Sequence, residues 1–216
     1  METINWLEVQ LYLLPERAIY LESSNSLLVA DLHLGKSATF QAYGIPIPNC
    51  TTDLTLKRLK DLCTQIQPEN LYILGDLFHS RLALQDGTLT TWIDFLKQLA
   101  VPTWLIVGNH DRSLVKGLEQ HHLNILLDRI HLGNLVLSHE PIIPSKRLNL
   151  CGHIHPCLRL KSRLDDLRLP CFYFNVARKL LVLPSFGEFT GGWDVKLEPD
   201  IIAYGIADHK IIPFAG

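Results

Sequence analysis

Between Leu27 and Leu150 one event recurs five times: a short apolar run stops, and aspartate, asparagine or histidine follows within two residues. The stops are Asp31-Leu32-His33, Gly75-Asp76, Gly108-Asn109-His110-Asp111, Ser138-His139 and Gly152-His153-Ile154-His155. Runs this short, such as Leu71 to Leu74 and Thr103 to Val107, have the length of buried strands rather than helices. Polar groups just past the carboxyl ends of strands in an open α/β sheet gather at one edge. The order of these residues therefore constrains the fold as much as the chemistry.

What separates the runs supplies the rest of the architecture. Val9 to Leu14, Ala18 to Leu21 and Leu27 to Ala30 are apolar stretches broken by turn residues, and predict an antiparallel meander. From Thr52 the spacing becomes helical, with Leu56, Leu59, Leu62, Cys63 and Ile66 on one stripe, and again at Trp92, Phe95, Leu96 and Leu99. After Ile130 short strands return, with hairpin turns expected at Gly133-Asn134, Ala177-Arg178-Lys179 and Ala207-Asp208-His209. The expected fold class is α/β, a four-layer arrangement of two packed mixed β-sheets flanked by helices. No polar or Pro/Gly-rich stretch divides the 216 residues, so one domain over 1–216 is expected.

Composition excludes several classes. Apolar residues make up 47% of the chain, enough for a sizeable core, and the formal net charge of −2 lacks the basic excess of many nucleic-acid binders. A polyanion would have to be held locally. No apolar run approaches the ~20 residues that span a bilayer, and Met1 to Gln10 lacks the pattern of a signal peptide. A cytoplasmic protein without membrane contact is expected. Five cysteines without C-x-x-C spacing argue against a disulfide framework and a structural zinc site, and Cys151, ending an apolar run, is read as buried.

The residues at the five stops are oxygen and imidazole donors with no thiolate, a set that suits Mn²⁺, Fe²⁺ or Zn²⁺ in expanded coordination. Two divalent ions are expected, manganese being the first choice. Asp31 and His33 are two apart, so a strand-like backbone would aim both to one side. His153 and His155 share that spacing, at a reach of ~7 Å that suits two neighbouring ions. The glycines before Asp76, Asn109 and His153 permit tight turns, or positive φ, beside the ligands. Singly each piece is weak, because a lone strand-end histidine is more often structural. Jointly they are specific: His33, His79, His110, His139, His153 and His155 lie in or beside the stops, leaving His121, His122, His131 and His209 without assigned roles.

These blocks resemble the motifs D-x-H, G-D, G-N-H-[DE], a later histidine and G-H-x-H of the calcineurin-like metallophosphoesterase superfamily, over Asp31 to His155. The resemblance implies a β-sandwich flanked by helices. It implies Asp31, His33, Asp76 and His155 on one metal and Asp76, Asn109, His139 and His153 on the other, with Asp76 bridging. Asp31-Leu-His33-Leu-Gly35 and Gly75-Asp76-Leu-Phe-His79 look like the nuclease subunit of double-strand-break repair rather than protein phosphatases. The ending Leu183 to Gly192 looks most like the bacterial DNA-ligase-associated metallophosphoesterases, which are proposed repair endonucleases. That link implies DNA as substrate and an association with an ATP-dependent DNA ligase and a helicase.

The expected reaction is phosphodiester hydrolysis, with a water activated between two ions attacking phosphorus in line. His110 is expected to protonate the leaving oxygen, Asp111 to orient its imidazole, and His79 to act from the other side. The alternative is a phosphoesterase acting on small nucleotides or cyclic nucleotides.

Overall fold

The computed structural model describes residues 1–45, 50–84, 87–118, 123–142, 147–188 and 190–216. The chain begins as the expected meander: β1 (Glu2–Trp6), β2 (Val9–Leu14), β3 (Ala18–Leu21) and β4 (Ser26–Val29), each antiparallel to the one before. Helices α1 (Lys36–Ala42) and α2 (Thr51–Ile66) lead to β5 (Asn70–Leu74), and α3 (Thr88–Leu99) to β6 (Thr103–Ile106). A single turn, α4 (Val115–Leu118), precedes β7 (Asn124–Leu126). Strands β4 to β7 are parallel, so the first sheet runs in chain order and changes from antiparallel to parallel at β4.

The second sheet contains β8 (Ile130–Leu132), β9 (Leu135–Leu137), β10 (Leu148–Cys151), β11 (Pro156–Lys161), β12 (Asp166–Asn175), β13 (Leu180–Val182), β14 (Trp193–Asp194), β15 (Ile201–Ala207) and β16 (Lys210–Ala215). Its order is β14-β11-β12-β13-β10-β9-β8, with β15 and β16 joined through β12. Within it β9, β10 and β13 are parallel. The three expected hairpin turns fall between β8 and β9, β12 and β13, and β15 and β16. The architecture is α/β, two mixed sheets with few helices.

Alternation along the strands divides the core. Leu28 and Tyr72 face the second sheet, where they meet Leu148, Leu150, Phe172, Leu181 and Leu183 in a dry seam. Leu27, Val29, Leu71 and Ile73 face the other way, onto the α2 stripe of Leu56, Leu59, Leu62 and Cys63 and the α3 stripe of Trp92, Phe95 and Leu96. Each long helix stops at a left-handed residue, Gln67 or Ala100, whose N–H donates to a carbonyl four residues back. Helices were expected on both outer faces. All four described α-helices lie within residues 36–118, and in the second half the antiparallel neighbours β8–β9, β12–β13 and β15–β16 are joined by turns. Cys63, Cys151 and Cys171 are buried and all five cysteines are free.

Candidate metal centre

The six strands that matter, β4, β5 and β6 in one sheet and β9, β10 and β13 in the other, run parallel within their sheets. Residues following five of them converge. Asp31, Asp76, His139 and His33 are 0%, 3%, 4% and 6% exposed, a concentration of buried polar side chains unlike anything in the seam below. His131 on β8 and His209 in the β15–β16 turn stay out of the cluster. His121 and His122 lie outside the described residues.

The backbone does not aim the ligands as alternation in a strand would. Asp31, His33, Asp76, His153 and His155 all have positive φ, between 48° and 70°. This is the left-handed region, sparsely populated by residues other than glycine and best tolerated by Asp, Asn and His. It persists because hydrogen bonds fix the segment on both sides: the N–H groups of Asp31 and His33 donate to the carbonyls of Gly75 (3.1 Å) and Asp76 (2.9 Å). From beneath, the N–H groups of Phe186 and Gly187 donate to Ala30 (2.8 Å) and Asp31 (3.0 Å), and Ser185 Oγ to the Asp31 carbonyl (2.7 Å). Of the three glycines before ligands only Gly75 has positive φ. Gly108 and Gly152 serve close approach instead, since a Cβ there would overlap the carboxylates of Asp76 and Asp31.

Two groups of donors result. In one, Asp31, His33 and His155 offer atoms all within 4.8 Å of one another. Nε2 of His33 faces Nε2 of His155 at 3.3 Å, and Asp31 Oδ1, 3.5 Å from His155 Nε2, is buried with no hydrogen-bond partner. In the other, Asp76, His139 and His153 converge, and Asn109 Oδ1 lies 2.9 Å from His139 Nε2 and 3.0 Å from His153 Nδ1. Asp76 reaches both: Oδ1 is 3.6 Å from His139 Nε2 and Oδ2 is 3.9 Å from His33 Nε2. Imidazole nitrogens pointing at one another beside an orphaned carboxylate oxygen are costly unless a cation completes them. The donor set and the orphaned oxygen fit divalent ions.

Hydrogen bonds behind the ligands fix their tautomers. His139 Nδ1 donates to the Leu74 carbonyl (3.0 Å) and His155 Nδ1 to that of Gly191 (3.1 Å), leaving each Nε2 lone pair for the site. Burial, helped by the neighbouring His155, His110 and His79, lowers the His33 pKa to about 2 and so keeps it a neutral donor. Burial lowers His155 too, but the Asp31 carboxylate and the Gly191 carbonyl outweigh it and the net shift is upward. Asp76 is raised by burial, partly offset by His139.

His79 and His110 stand together on one side of the site. Their rings stack at 5.4 Å and 21°, and His110 Nε2 lies 3.9 Å from Asp76 Oδ2. His79 therefore shares the His110 side rather than facing it. The expected pairing of Asp111 with the His110 imidazole is not formed. His110 Nδ1 is held by the carbonyl of His79 at 2.6 Å, whereas the fully buried Asp111 carboxylate accepts the N–H groups of Gly108 (3.0 Å) and Phe78 (3.3 Å). Asp111 ties the Asn109-His110 loop to the loop after β5. Its pKa is raised by burial to about 6, an effect those two N–H groups moderate.

The family model for the calcineurin-like phosphoesterases matches residues 25–171. The chain belongs to that family. It is a metal-dependent phosphoester hydrolase. The crystal structure of a nuclease, MPE, from Pseudomonas putida is 33% identical, with 99% of each chain covered and a TM-score of 0.83. The E. coli phosphoesterase Yfce (16% identity, 88% of this chain and 98% of that one, TM-score 0.48) and a protein of unknown function from Aquifex aeolicus (18%, 60% and 77%, 0.42) are more distant. No curated protein matches the chain.

The ending singled out for its resemblance has a role the sequence did not assign to it: it props up this hydrolase's first ligand loop. Pro184 to Gly187 pass under Asp31, and a Cβ on Gly187 would collide with the Leu32 carbonyl. The segment is held by Arg58, which lies over the Phe186 ring at 4.4 Å and bonds the Phe186 carbonyl and the Glu188 carboxylate, and by Arg17, which donates to Ser185 and Gly187 carbonyls at 3.4 Å. A Pro-Ser-Phe-Gly stop after an apolar strand was the available signal.

Proposed function

We propose that this phosphoesterase is a two-metal phosphodiesterase that cuts DNA in repair. The observation that carries the reading is the pair of donor groups joined through Asp76, together with full-length likeness to a nuclease. Asp31, His33, Asp76 and His155 would hold one ion and Asp76, Asn109, His139 and His153 the other, manganese being the first choice. Bound ions supply Lewis acidity and a water nucleophilic at neutral pH. The protein's own part is positional. Asp76, rigidly placed by Gly75 and by the His110 N–H at 3.0 Å, fixes the spacing of the two groups. His110 directs Nε2 toward the site and, with Nδ1 on the His79 carbonyl, is placed to hold or release a proton at the leaving oxygen. His79, lowered by burial to a pKa of about 4, shields that nitrogen as a neutral stacking partner.

An open groove of about 610 Å³ beside His139 supports a polymeric substrate. Arg112, Lys116 and Arg129 line it, Arg112 paired with Glu140 at 3.4 Å and Arg129 with Asp128 at 3.6 Å, with Val107 and Leu127 as apolar wall. The proposed association with an ATP-dependent DNA ligase and a helicase rests on the motif resemblance, and the proposed cytoplasmic setting on the sequence pattern. No described helix is long and apolar enough to cross a membrane. The test is hydrolysis by the manganese-loaded protein of single-stranded, duplex and nicked DNA beside small mono- and diesters, with His110→Ala as control. DNA fragments that disappear in the variant are expected. Cleavage of a nucleotide or cyclic nucleotide alone would replace DNA with the small-molecule alternative.

A further inference from the structure

We propose that Lys36 holds a second phosphate group of the substrate, next along the strand from the phosphate that is cut, and so selects polynucleotides over small esters. The inference rests on the phosphodiesterase reading above and deepens it.

Lys36 opens α1, three residues after His33, and is half-buried. Its ammonium lies 5.4 Å from the centroid of the Phe40 ring, which meets the His79 ring at 5.7 Å and a tilt of 31°. His79 in turn stacks on His110, so Lys36, Phe40, His79 and His110 form one continuous flank of the site. The charge is uncompensated. Among the described residues no carboxylate pairs with Lys36, and the first turn of α1 contains no acid. Glu188 lines the same crevice but is committed to Arg58.

The other lysines on the long helices behave in the opposite way. Lys57 pairs with Asp61 at 2.7 Å, Lys97 with Asp94 at 3.1 Å, and Lys60 reaches Gln98 at 3.1 Å, all exposed to solvent where pairing contributes little. Of these four, Lys36 alone combines burial with the lack of a carboxylate partner, and it sits at the end of a helix that disfavours cations. Burial also depresses its pKa. A cation kept half-desolvated on the flank that Phe40 and His79 complete awaits an anion from outside. At the flank of a phosphoester site that anion is a phosphate oxygen, which an ammonium binds as a point charge. A substrate with one phosphate group has nothing to offer it.

The experiment uses the manganese-loaded full chain hydrolysing bis(4-nitrophenyl) phosphate, with a short single-stranded oligodeoxynucleotide or a nucleoside monophosphate as competitor. For Lys36→Gln, the oligonucleotide inhibition constant should rise about tenfold or more beyond any change in aryl-diester kcat/KM, as loss of one charge-assisted contact predicts. Its salt dependence should flatten by about one unit of slope. Inhibition by the nucleoside monophosphate should not follow, Lys36→Arg should recover most of the loss, and the melting temperature should not fall. Equal losses for oligonucleotide and aryl diester, an unchanged oligonucleotide constant, or a lowered melting temperature that Lys36→Arg does not restore would each overturn the assignment. Absence of DNA fragments from the parent protein would sink the nuclease reading by itself, and the inhibition constants would still decide Lys36.

Discussion

The ligand edge and the seam beneath it are built from the same strands and obey opposite rules. In the seam, Leu28, Tyr72, Leu150 and Phe172 interdigitate and the strands between them are regular, so each apolar side chain stabilises the fold by roughly 1.5–3 kcal/mol. Two to four residues past the strand ends, the chain turns left-handed at Asp31, His33, Asp76, His153 and His155, and Asp31 and His33 are buried with polar atoms that lack a partner. Left-handed residues and unsatisfied buried groups each cost on the order of 1–3 kcal/mol. The edge cannot hold itself together: it is clamped by the seam, by the Pro184 to Gly187 segment and by the ions it is arranged to bind.

Breaking the edge alone should give the largest effect. Asp76→Ala removes the residue common to both donor groups, and steady-state kinetics on any cleavable diester should lose more than the roughly 100-fold upper range for an outer-shell partner. Its metal-free melting temperature should stay near or above the parent's, because a carboxylate disfavoured by burial has gone. Breaking the seam alone gives the reverse. Leu28→Ala should cost about 2–5 kcal/mol in chemical denaturation while the folded fraction keeps its kcat.

The interface between the two regions should respond in both readouts. Gly152→Ala drives a Cβ into the Asp31 carboxylate, so stability should drop by about 1–3 kcal/mol and manganese affinity should weaken together with it. A variant that binds manganese normally would show that close approach at Gly152 is not what sets the first donor group.

The smallest expected effect is on pH dependence. In metal-free protein the His79 pKa is lowered from 6.5 to about 4, so between those values the unfolded chain binds a proton that the folded one refuses. That term makes stability fall on acidification from about pH 6.5 to about pH 4, and His33, lowered to about 2, extends the fall further. Asp111, raised from 3.8 to about 6, acts in the opposite sense over much of the window. Denaturation of metal-free His79→Gln against the parent isolates one term: the variant should lose less stability between pH 6.5 and 4. Parallel curves would contradict a neutral, buried His79.

The sequence made the ligand edge legible because its chemistry is local. Each strand end announces itself by a change from apolar residues to Asp, Asn or His, and the parallel order of β4 to β6 follows from the helices between them. What the sequence could not display is backbone sign. Asp31 and His33 were grouped by strand alternation, and they do face one site, but through two left-handed residues. Asp111 was assigned to its neighbour's ring because adjacency in the chain was the information at hand, and two backbone N–H groups, those of Gly108 and Phe78, won its carboxylate. The support from Arg17, Arg58 and Ser185 spans more than a hundred residues of sequence separation and leaves no periodic trace. That the described α-helices all precede residue 123 is likewise not something short apolar runs alone reveal.

If two ions share Asp76, equilibrium dialysis with elemental analysis should count the manganese ions retained per chain. Parent protein should hold two, and Asp76→Ala should lose affinity at both. A parent that saturates at one ion, or an Asp76→Ala variant that still binds two with parental affinity, would contradict the account.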